Sequence, residues 1–376
     1  MDDPEQTRAW LLALRTPGLG ASRLREALAA NADDMAATLA RQRRTGSGLD
    51  AAARAWLERP DEARIAADLA WLAAPGHRLL TLRDADYPPL LEHIGQPPLA
   101  LFVAGDPAWL LRPQVAIVGS RAASPAGLEH ARRFARALAG AGFVVTSGMA
   151  DGIDGAAHTG ALDAGAPTVA VVGTGPDRVY PRKHHALAQR IVAQGALVSE
   201  FPPGTGARPG HFPRRNRVIA GLALGTLVIE AGLESGSLIT ARLAAEQGRE
   251  VCALPGSITN PLARGCHHLI RDGARLVEEP GEVAELLAPA ARALGVELAS
   301  RLAMLDDAPV AGAAAGHADP EYQRLLAALG HDPVALEELV ERSGLALPAL
   351  SSMLLMLELE GRVAGLPGGR YQALPG

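Results

Sequence analysis

The feature that most constrains the fold of this chain is a regular alternation of short apolar runs and amphipathic segments between Val115 and Val277. Runs of three to five apolar residues are typical of strands buried on both faces of a parallel sheet. Because each run is followed by a helical pattern, the alternation predicts a doubly wound α/β sheet. The predicted strands are Val115–Val118, Phe143–Thr146, Thr168–Val172, Ala196–Val198, Thr226–Ile229 and Val251–Leu254. The clearest predicted helices are Leu128–Ala139, Ala156–Ala164, His185–Gln194 and Leu238–Gln247.

The segments before the sheet predict a small helical domain over residues 1–75 and a connecting segment over residues 76–110 that edges the sheet. Thr16-Pro17-Gly18-Leu19-Gly20 separates two helical patterns, as in helix-hairpin-helix or SAM-like domains. Such glycines turn backbone amides toward a phosphate. A tight turn between two packed helices explains the same pattern equally well, so both interpretations stay open.

The C-terminal part predicts a linker over residues 289–319 and a winged-helix domain over residues 320–376. Three helical patterns are followed by two short strands, Arg362–Ala364 and Arg370–Ala373, around a glycine-rich turn. The third helix, Pro348–Glu360, contains two glutamates and no basic residue. Since phosphate contacts dominate affinity for nucleic acid, we hypothesise that this domain contacts protein rather than DNA.

Basic and acidic residues are distributed unevenly along the chain. Residues 81–277 contain 19 basic and 15 acidic side chains, whereas residues 278–376 contain 6 basic and 15 acidic ones. The N-terminus is acidic and polar, unlike a signal peptide, and no apolar segment is long enough to span a bilayer. Only two cysteines are present, which argues against a disulfide framework. These features predict a cytoplasmic protein with an anion-binding central domain.

The segment Phe212–Ala241 concentrates the anion-binding signals. Two predicted loops flank the strand through Val228. The first contains four arginines without a neighbouring carboxylate in sequence, which favours phosphate as the counter-charge. The second, Ser235-Gly236-Ser237, opens a helix whose free amides are suited to phosphate. The four arginines are Arg208, Arg214, Arg215 and Arg217.

Three earlier strand ends place loops on the same predicted rim: Gly119-Ser120-Arg121, Ser147–Asp154 and Gly173–Lys183. Ligands of doubly wound sheets bind at this rim. Lys183 is the single lysine of the chain. Asp154 is expected to cap a helix or to orient an arginine, because a carboxylate repels phosphate. Glu230 is expected to hold Arg217 or Arg121.

Motifs for common enzyme classes are missing from the sequence. There is no G-x-G-x-x-G dinucleotide fingerprint, no Gly-Lys pair for a Walker motif and no G-x-S-x-G elbow. The two cysteines and the adjacent His267 and His268 do not have zinc-site spacing. The sequence therefore predicts no cofactor, no metal and no catalyst.

Taken together, five motifs in order make the chain resemble the bacterial DNA processing protein A family, also called DprA or Smf. The motifs are VAIVGSR, SGMADGID, FPRRNR, SGSLITA and LPG, which start at Val115, Ser147, Phe212, Ser235 and Leu254. The resemblance implies a Rossmann-like sheet with N-terminal helical and C-terminal winged-helix domains. It also implies a homodimer without catalytic activity that binds single-stranded DNA, protects incoming DNA in natural transformation and assists loading of the RecA recombinase.

The predicted nucleic-acid-binding residues combine the family's positions with our interpretation of the loops. Gly119, Ser120, Arg121, Arg215, Asn216 and Arg217 match family binding positions, while Lys183 matches a basic position more loosely. Low aromatic content leaves Phe212 as the best candidate to contact a base. The full set is Gly119, Ser120, Arg121, Lys183, Phe212, Arg214, Arg215, Asn216, Arg217, Ser235, Gly236 and Ser237.

Three departures from the family pattern and one alternative function remain, and the first departure is the acidic third helix of the winged-helix domain. Ala223 replaces a common serine and His267 a common asparagine. The alternative is a nucleotide hydrolase of the phosphoribohydrolase type on a similar sheet, for which Gly225-Thr226 and Glu230 are faint signals. That family's Pro-Gly-Gly lead-in does not precede Gly225-Thr226 in this sequence, and the family's glutamate is spaced differently from Glu230.

Overall fold

The computed structural model describes residues 3–306, except 32 and 47, and residues 320–373, except 330–332, 346–349, 351–352, 355–356, 358–362 and 367–369. The chain divides into two compact units, Met1–Ala299 and Ser300–Gly376. No helix in the described part of the chain is both long and apolar enough to cross a membrane.

Five helices form the N-terminal region, and four of them begin at an aspartate whose side chain accepts a backbone N–H of the first turn. They are α1 (Pro4–Arg15), α2 (Ala21–Ala29), α3 (Met35–Thr45), α4 (Ala51–Glu58) and α5 (Glu62–Leu72). Their buried side chains, including Trp10 and Leu28, share one core with Phe102 of the adjoining sheet. The helical region is therefore packed onto the sheet.

A nine-stranded sheet forms the centre of the first unit. Its strands are β1 (His77–Thr81), β2 (Ala100–Gly105), β3 (Gln114–Gly119), β4 (Val144–Ser147), β5 (Thr168–Val172), β6 (Ala196–Ser199), β7 (Gly225–Ile229), β8 (Glu250–Ala253) and β9 (Arg275–Leu276). Their order is β1-β2-β6-β5-β4-β3-β7-β8-β9. In this order, the seven neighbouring strands β6-β5-β4-β3-β7-β8-β9 are parallel to one another. The pairs β1–β2 and β2–β6 are antiparallel, so β1 and β2 add an antiparallel edge.

Helices cover both faces of this sheet. They are α6 (Pro89–Glu92), α7 (Pro125–Gly140), α8 (Ile153–Asp163), α9 (His185–Gln194), α10 (His211–Leu222), α11 (Gly236–Glu246), α12 (Arg264–Arg271) and α13 (Pro280–Asp306). Short 3-10 turns lie at Pro107–Leu111, Arg182–His184 and Pro261–Ala263. In β3, Val115 and Ile117 belong to the core with α7, α8 and α13, while Ala116 and Val118 belong to the core with α10 and α11. This alternation is the two-residue period of a strand, and it confirms the predicted doubly wound α/β class.

The predicted linker over residues 289–319 is wrong in its first part. Residues 289–306 belong to α13, which contains Pro289. Leu294 continues the face that Val283 and Leu287 bury against the sheet, and alanine, the strongest helix former, favours a helix in the rest of the segment. The remainder of the predicted linker, residues 307–319, lies outside the described residues.

The second unit contains α14 (Pro320–Leu329), β10 (Val334–Ala335), α15 (Leu336–Ser343), β11 (Val363–Leu366) and β12 (Arg370–Ala373). The predicted hairpin is confirmed as the antiparallel pair of β11 and β12, and β10 adds a third strand that the sequence did not indicate. Most of the predicted third helix lies outside the described residues. Its described members Leu350, Met353, Leu354 and Leu357 are buried in the core of this unit.

Candidate nucleic-acid interface

An open crevice of about 720 Å³ lies beyond the carboxyl ends of β3 and β7. The strand order reverses here, because the chain runs from β3 toward β6 on one side and returns to β7 on the other. Doubly wound sheets bind ligands at such a switch point. Residues from the ends of both strands, from α10 and from the start of α11 line the crevice, among them Gly119, Ser120, Arg121, Asp154, Phe212, Arg215, Asn216, Glu234, Ser235, Gly236 and Ser237.

Two glycines allow the loops of the crevice floor to approach each other closely. A Cβ atom on Gly119 would lie 1.9 Å from the carbonyl oxygen of Ile229, and one on Gly152 would lie 2.1 Å from that of Ser120. Gly152 also has a φ of +75°, which side-chain-bearing residues rarely adopt. The loops are joined further by the Ser120 N–H, which donates to the Glu230 carbonyl at 2.6 Å. The backbone path of this floor therefore requires glycine.

Arg121 is the exposed cation of the crevice. Its guanidinium carbon lies 5.5 Å from the centroid of the Phe212 ring. The Phe212 ring in turn lies 5.7 Å from the ring of Tyr180, which is 50% exposed. Among the described residues, no carboxylate lies within ion-pair distance of Arg121. A cation and two aromatic rings are thus presented together to solvent, as in sites that hold a phosphate beside a stacked base.

Arg215 is buried beneath the crevice. Its Nη1 donates to the carbonyl oxygens of Gly148 and Val171, and its Nε donates to Asn216 Oδ1 at 3.1 Å. Burial lowers the pKa of Arg215 to about 10, which leaves the guanidinium charged at neutral pH. This side chain ties α10 to the ends of β4 and β5 and adds positive charge under the crevice floor.

Asp154 lies in the first turn of α8 and is the buried counter-charge of Arg215. Burial raises the pKa of its carboxyl, while the charge of Arg215 and a hydrogen bond from the Ala150 N–H, 3.2 Å from Oδ2, lower it. Gly152, not Asp154, is the N-cap of this helix. Of the two roles expected for Asp154, the structure favours partnership with an arginine.

The predicted arginine loop is helical, because α10 begins at His211. Helical periodicity separates its arginines. Arg214 and Arg217 share the carboxylate of Glu200, which is 9% exposed and follows β6; Arg214 Nε lies 2.9 Å from Glu200 Oε2. These two residues do not line the crevice, and the inferred absence of a counter-charge is wrong for them.

The start of α11 presents the serine hydroxyls predicted from sequence. Ser235 is the N-cap, its Oγ lies 2.7 Å from Ser237 Oγ, and Gly236 between them is exposed. Asn216 reaches this turn by donating its Nδ2–H to the Gly236 carbonyl at 3.4 Å. Glu234 also lines the crevice and is exposed, so a carboxylate stands at its outer edge.

Two other predicted charges have local partners. Lys183 is exposed, its Nζ lies 2.9 Å from Asp151 Oδ1, and it does not line the crevice. Glu230 does not hold Arg217 or Arg121, contrary to expectation. Its carboxylate accepts hydrogen bonds from Ser124, from N at 2.8 Å and from Oγ at 2.5 Å, and so fixes the start of α7.

Sequence reasoning missed Tyr180 and Glu200. Tyr180 could have been noticed as an aromatic residue in a loop beside Pro181 on the predicted rim. Glu200 has no local signal, since its partners are 14 and 17 residues away.

Within the described ranges, no group of three His, Cys, Asp or Glu side chains could hold a metal ion. Burial raises the pKa of Cys252 to about 12 and that of Cys266 to about 11, so both are thiols at neutral pH.

Relatives of known sequence share most of this chain. Protein Smf of Escherichia coli is 44% identical over 313 residues, which span 81% of this chain and 80% of that protein. The DNA processing protein DprA of Streptococcus pneumoniae is 45% identical over 203 residues, 54% of this chain and 72% of that protein.

Solved structures agree with the fold. The X-ray structure of DNA processing protein A from Streptococcus pneumoniae matches with a TM-score of 0.65 at 36% identity, over 73% of this chain and 96% of that chain. A structure of DNA processing protein A from Helicobacter pylori, described for its single-stranded DNA binding mode, matches with a TM-score of 0.52 at 29% identity. The match covers 57% of this chain and 97% of that chain.

Family profiles match in both units. The profile of the DNA recombination-mediator protein A family matches residues 78–288, and that of the DprA winged helix domain matches residues 308–369. The first match covers more than half of the chain and contains every lining residue of the crevice. This chain therefore belongs to the DNA recombination-mediator protein A family.

Proposed function

We propose that this protein binds single-stranded DNA in the switch-point crevice, protects incoming DNA during natural transformation and assists loading of the RecA recombinase. The observation that carries the proposal is the exposed Arg121 guanidinium beside the ring of Phe212 in that crevice. The related Helicobacter pylori protein, whose structure is described for single-stranded DNA binding, supports the choice of ligand.

The crevice offers each part of a single strand a suitable contact. Arg121 and the turn Ser235–Ser237 hold phosphates, since a guanidinium and a helix N-terminus both favour anions. Phe212 and Tyr180 offer ring surface to unpaired bases, which a duplex keeps stacked inside. Arg215 contributes its charge from below and holds the loops in place. Arg214 and Arg217 share one carboxylate, so together they keep one net positive charge at the margin of the crevice, whereas Lys183 is paired with Asp151 and binds DNA only by exchanging this partner for a phosphate.

The same arrangement is the basis for proposing a protein without catalytic activity. Asp154 is buried and accepts a hydrogen bond from the Ala150 N–H, and Glu230 is engaged with Ser124, so both carboxylates already have partners within the protein. The phosphoribohydrolase alternative would use Glu230 and is not favoured for this reason.

We further propose that the protein works in the cytoplasm as a homodimer, and that the winged-helix domain contacts protein partners rather than DNA. The domain limits 1–75, 76–110, 111–288 for the Rossmann-like DNA-binding domain, and 320–376 stay predictions.

The proposed function predicts a preference for single strands that weakens with salt. In fluorescence anisotropy with single- and double-stranded oligonucleotides of equal length, we expect the single strand to bind at least about tenfold more tightly. The logarithm of its binding constant should fall linearly with the logarithm of salt concentration, by about 0.7 per neutralised phosphate. Equal affinity for both forms, or affinity that does not change with salt, would refute the proposal.

A further inference from the structure

We propose a second single-stranded DNA subsite, which rests on the proposed function and extends it. The subsite is a pocket of about 480 Å³ between α5 of the helical region and the loop that follows β6. Arg15, Arg64, Trp71 and Arg208 line it, together with Asp177 and the backbone of residues 203–205. A strand that leaves the crevice past Tyr180 enters this pocket.

A row of hollows leads from the crevice toward the proposed subsite. The first hollow next to the crevice shares Arg121 and Phe212 with it and extends to Tyr180. The second shares Tyr180 with the first and extends over Arg178, Arg182 and Ala207. Ala207 and Arg208 are adjacent in the chain, and Arg208 already lines the proposed subsite. A polymer can follow this row, whereas a small anion would occupy one hollow.

Positive charge along the row is only partly neutralised. Within the described part of the chain, Arg182 and Arg208 have no carboxylate within ion-pair distance, and both are exposed. Arg178 Nε lies 3.9 Å from Asp177 Oδ2, while Asp177 Oδ1 accepts a hydrogen bond from the Gly204 N–H at 2.8 Å. The ion pair of Arg64 with Asp61 is exposed, so it holds Arg64 weakly. Phosphates can therefore compete for these guanidiniums.

The pocket itself is rigidly built. Arg15 bridges the two regions, because it pairs with the fully buried Asp68 at 2.5 Å and donates to the Pro203 carbonyl at 2.9 Å. Trp71 stacks on His77 with ring centroids 4.0 Å apart, and it remains partly exposed in the pocket. Aromatic rings interleaved with arginines are the usual composition of a groove for single strands. Arg15 serves as a brace, Arg208 and Trp71 face the ligand in the pocket, and Arg182 faces it in the neighbouring hollow.

The length of the DNA separates the two sites. An oligothymidine of about 5 nucleotides should occupy the crevice alone, whereas one of about 20 nucleotides should occupy both sites. The double variant Arg182→Ala/Arg208→Ala should weaken binding of the longer oligonucleotide about tenfold, lower its salt slope by about 1.4 for two lost phosphates, and leave the shorter one unchanged. Arg136→Ala, an exposed arginine on α7, is the matched control and should change neither.

Equal loss at both lengths, or no loss at either, in the double variant would overturn the subsite while leaving the crevice in place. Failure of the wild-type protein to bind either oligonucleotide would instead overturn the proposed function as well. Tryptophan fluorescence gives an independent readout: the longer oligonucleotide should quench emission more than the shorter one, and Trp71→Phe should remove the difference. A difference that persists in Trp71→Phe would contradict contact at Trp71.

Discussion

Replacing Arg215 by alanine is expected to lower the free energy of unfolding by about 3–5 kcal/mol, because it removes two hydrogen bonds from a charged donor to buried carbonyl groups, each worth about 1.5–3 kcal/mol. The substitution leaves the carboxylate of Asp154 buried without its counter-charge and the carbonyls of Gly148 and Val171 without a donor. Arg214→Ala is the matched control on the same helix. Since Arg214 is 54% exposed, its ion pair with Glu200 should be worth about 1 kcal/mol or less.

The loss in Arg215→Ala should depend on pH. Burial already raises the pKa of Asp154, and removing the positive charge of Arg215 raises it further. A carboxyl whose pKa is higher in the folded state stabilises the fold at low pH, and this stability is lost as pH rises from about 3.9 through the folded pKa. The variant should therefore be less destabilised near pH 4 than near pH 7.

Chemical denaturation at both pH values, with Asp154→Asn added to Arg215→Ala, tests this explanation. The asparagine should recover part of the lost stability at neutral pH and flatten the pH dependence, because it removes the unpaired charge. If the two substitutions add as independent losses, or if Arg215→Ala is as stable as the wild type, Arg215 does not hold α10 to the ends of β4 and β5 in the way described here.

Replacing Arg121 by alanine is expected to weaken binding of single-stranded DNA by about 10- to 100-fold, the loss of one charge-assisted phosphate contact and of a cation–π partner. The unfolding free energy should change by less than about 0.5 kcal/mol, because the side chain is exposed. Anisotropy titrations and denaturation of the same preparations measure both quantities.

Two further variants make the Arg121 result specific. Arg121→Lys should fall between the wild type and alanine, since lysine keeps the charge but loses the planar guanidinium beside Phe212. Arg136→Ala removes an exposed arginine from α7 and should bind like the wild type. An Arg121→Ala protein that binds as tightly as the Arg136→Ala protein would remove Arg121 from the site.

The sheet could be predicted from the sequence because strands buried on both faces are continuously apolar. The bounds predicted for the strand Thr168–Val172 and the helix His185–Gln194 agree with the structure. The extent of α13 could not be predicted. Alanine favours a helix but is also common in linkers, and beyond Leu294 and Leu298 the second half of α13 places few side chains in the core, so the sequence contains little apolar periodicity there.

The convergence of loops on one rim also followed from sequence, since the carboxyl ends of parallel strands meet at one edge. The separate roles of the arginines did not. Pro213 in the first turn of α10 resembles a loop residue, although helices tolerate proline there. Once the segment is helical, Arg214 and Arg217 fall three residues apart on one face toward Glu200, and Arg215 points into the core.

The most direct test of the central claim is photo-crosslinking of the full-length protein to oligothymidine, followed by identification of the attached peptides. Single-stranded DNA that lies in the crevice should crosslink to the peptides that contain Phe212 and Tyr180, and Arg121→Ala should reduce this yield. Crosslinks confined to residues 320–376, with none on these two peptides, would contradict the account.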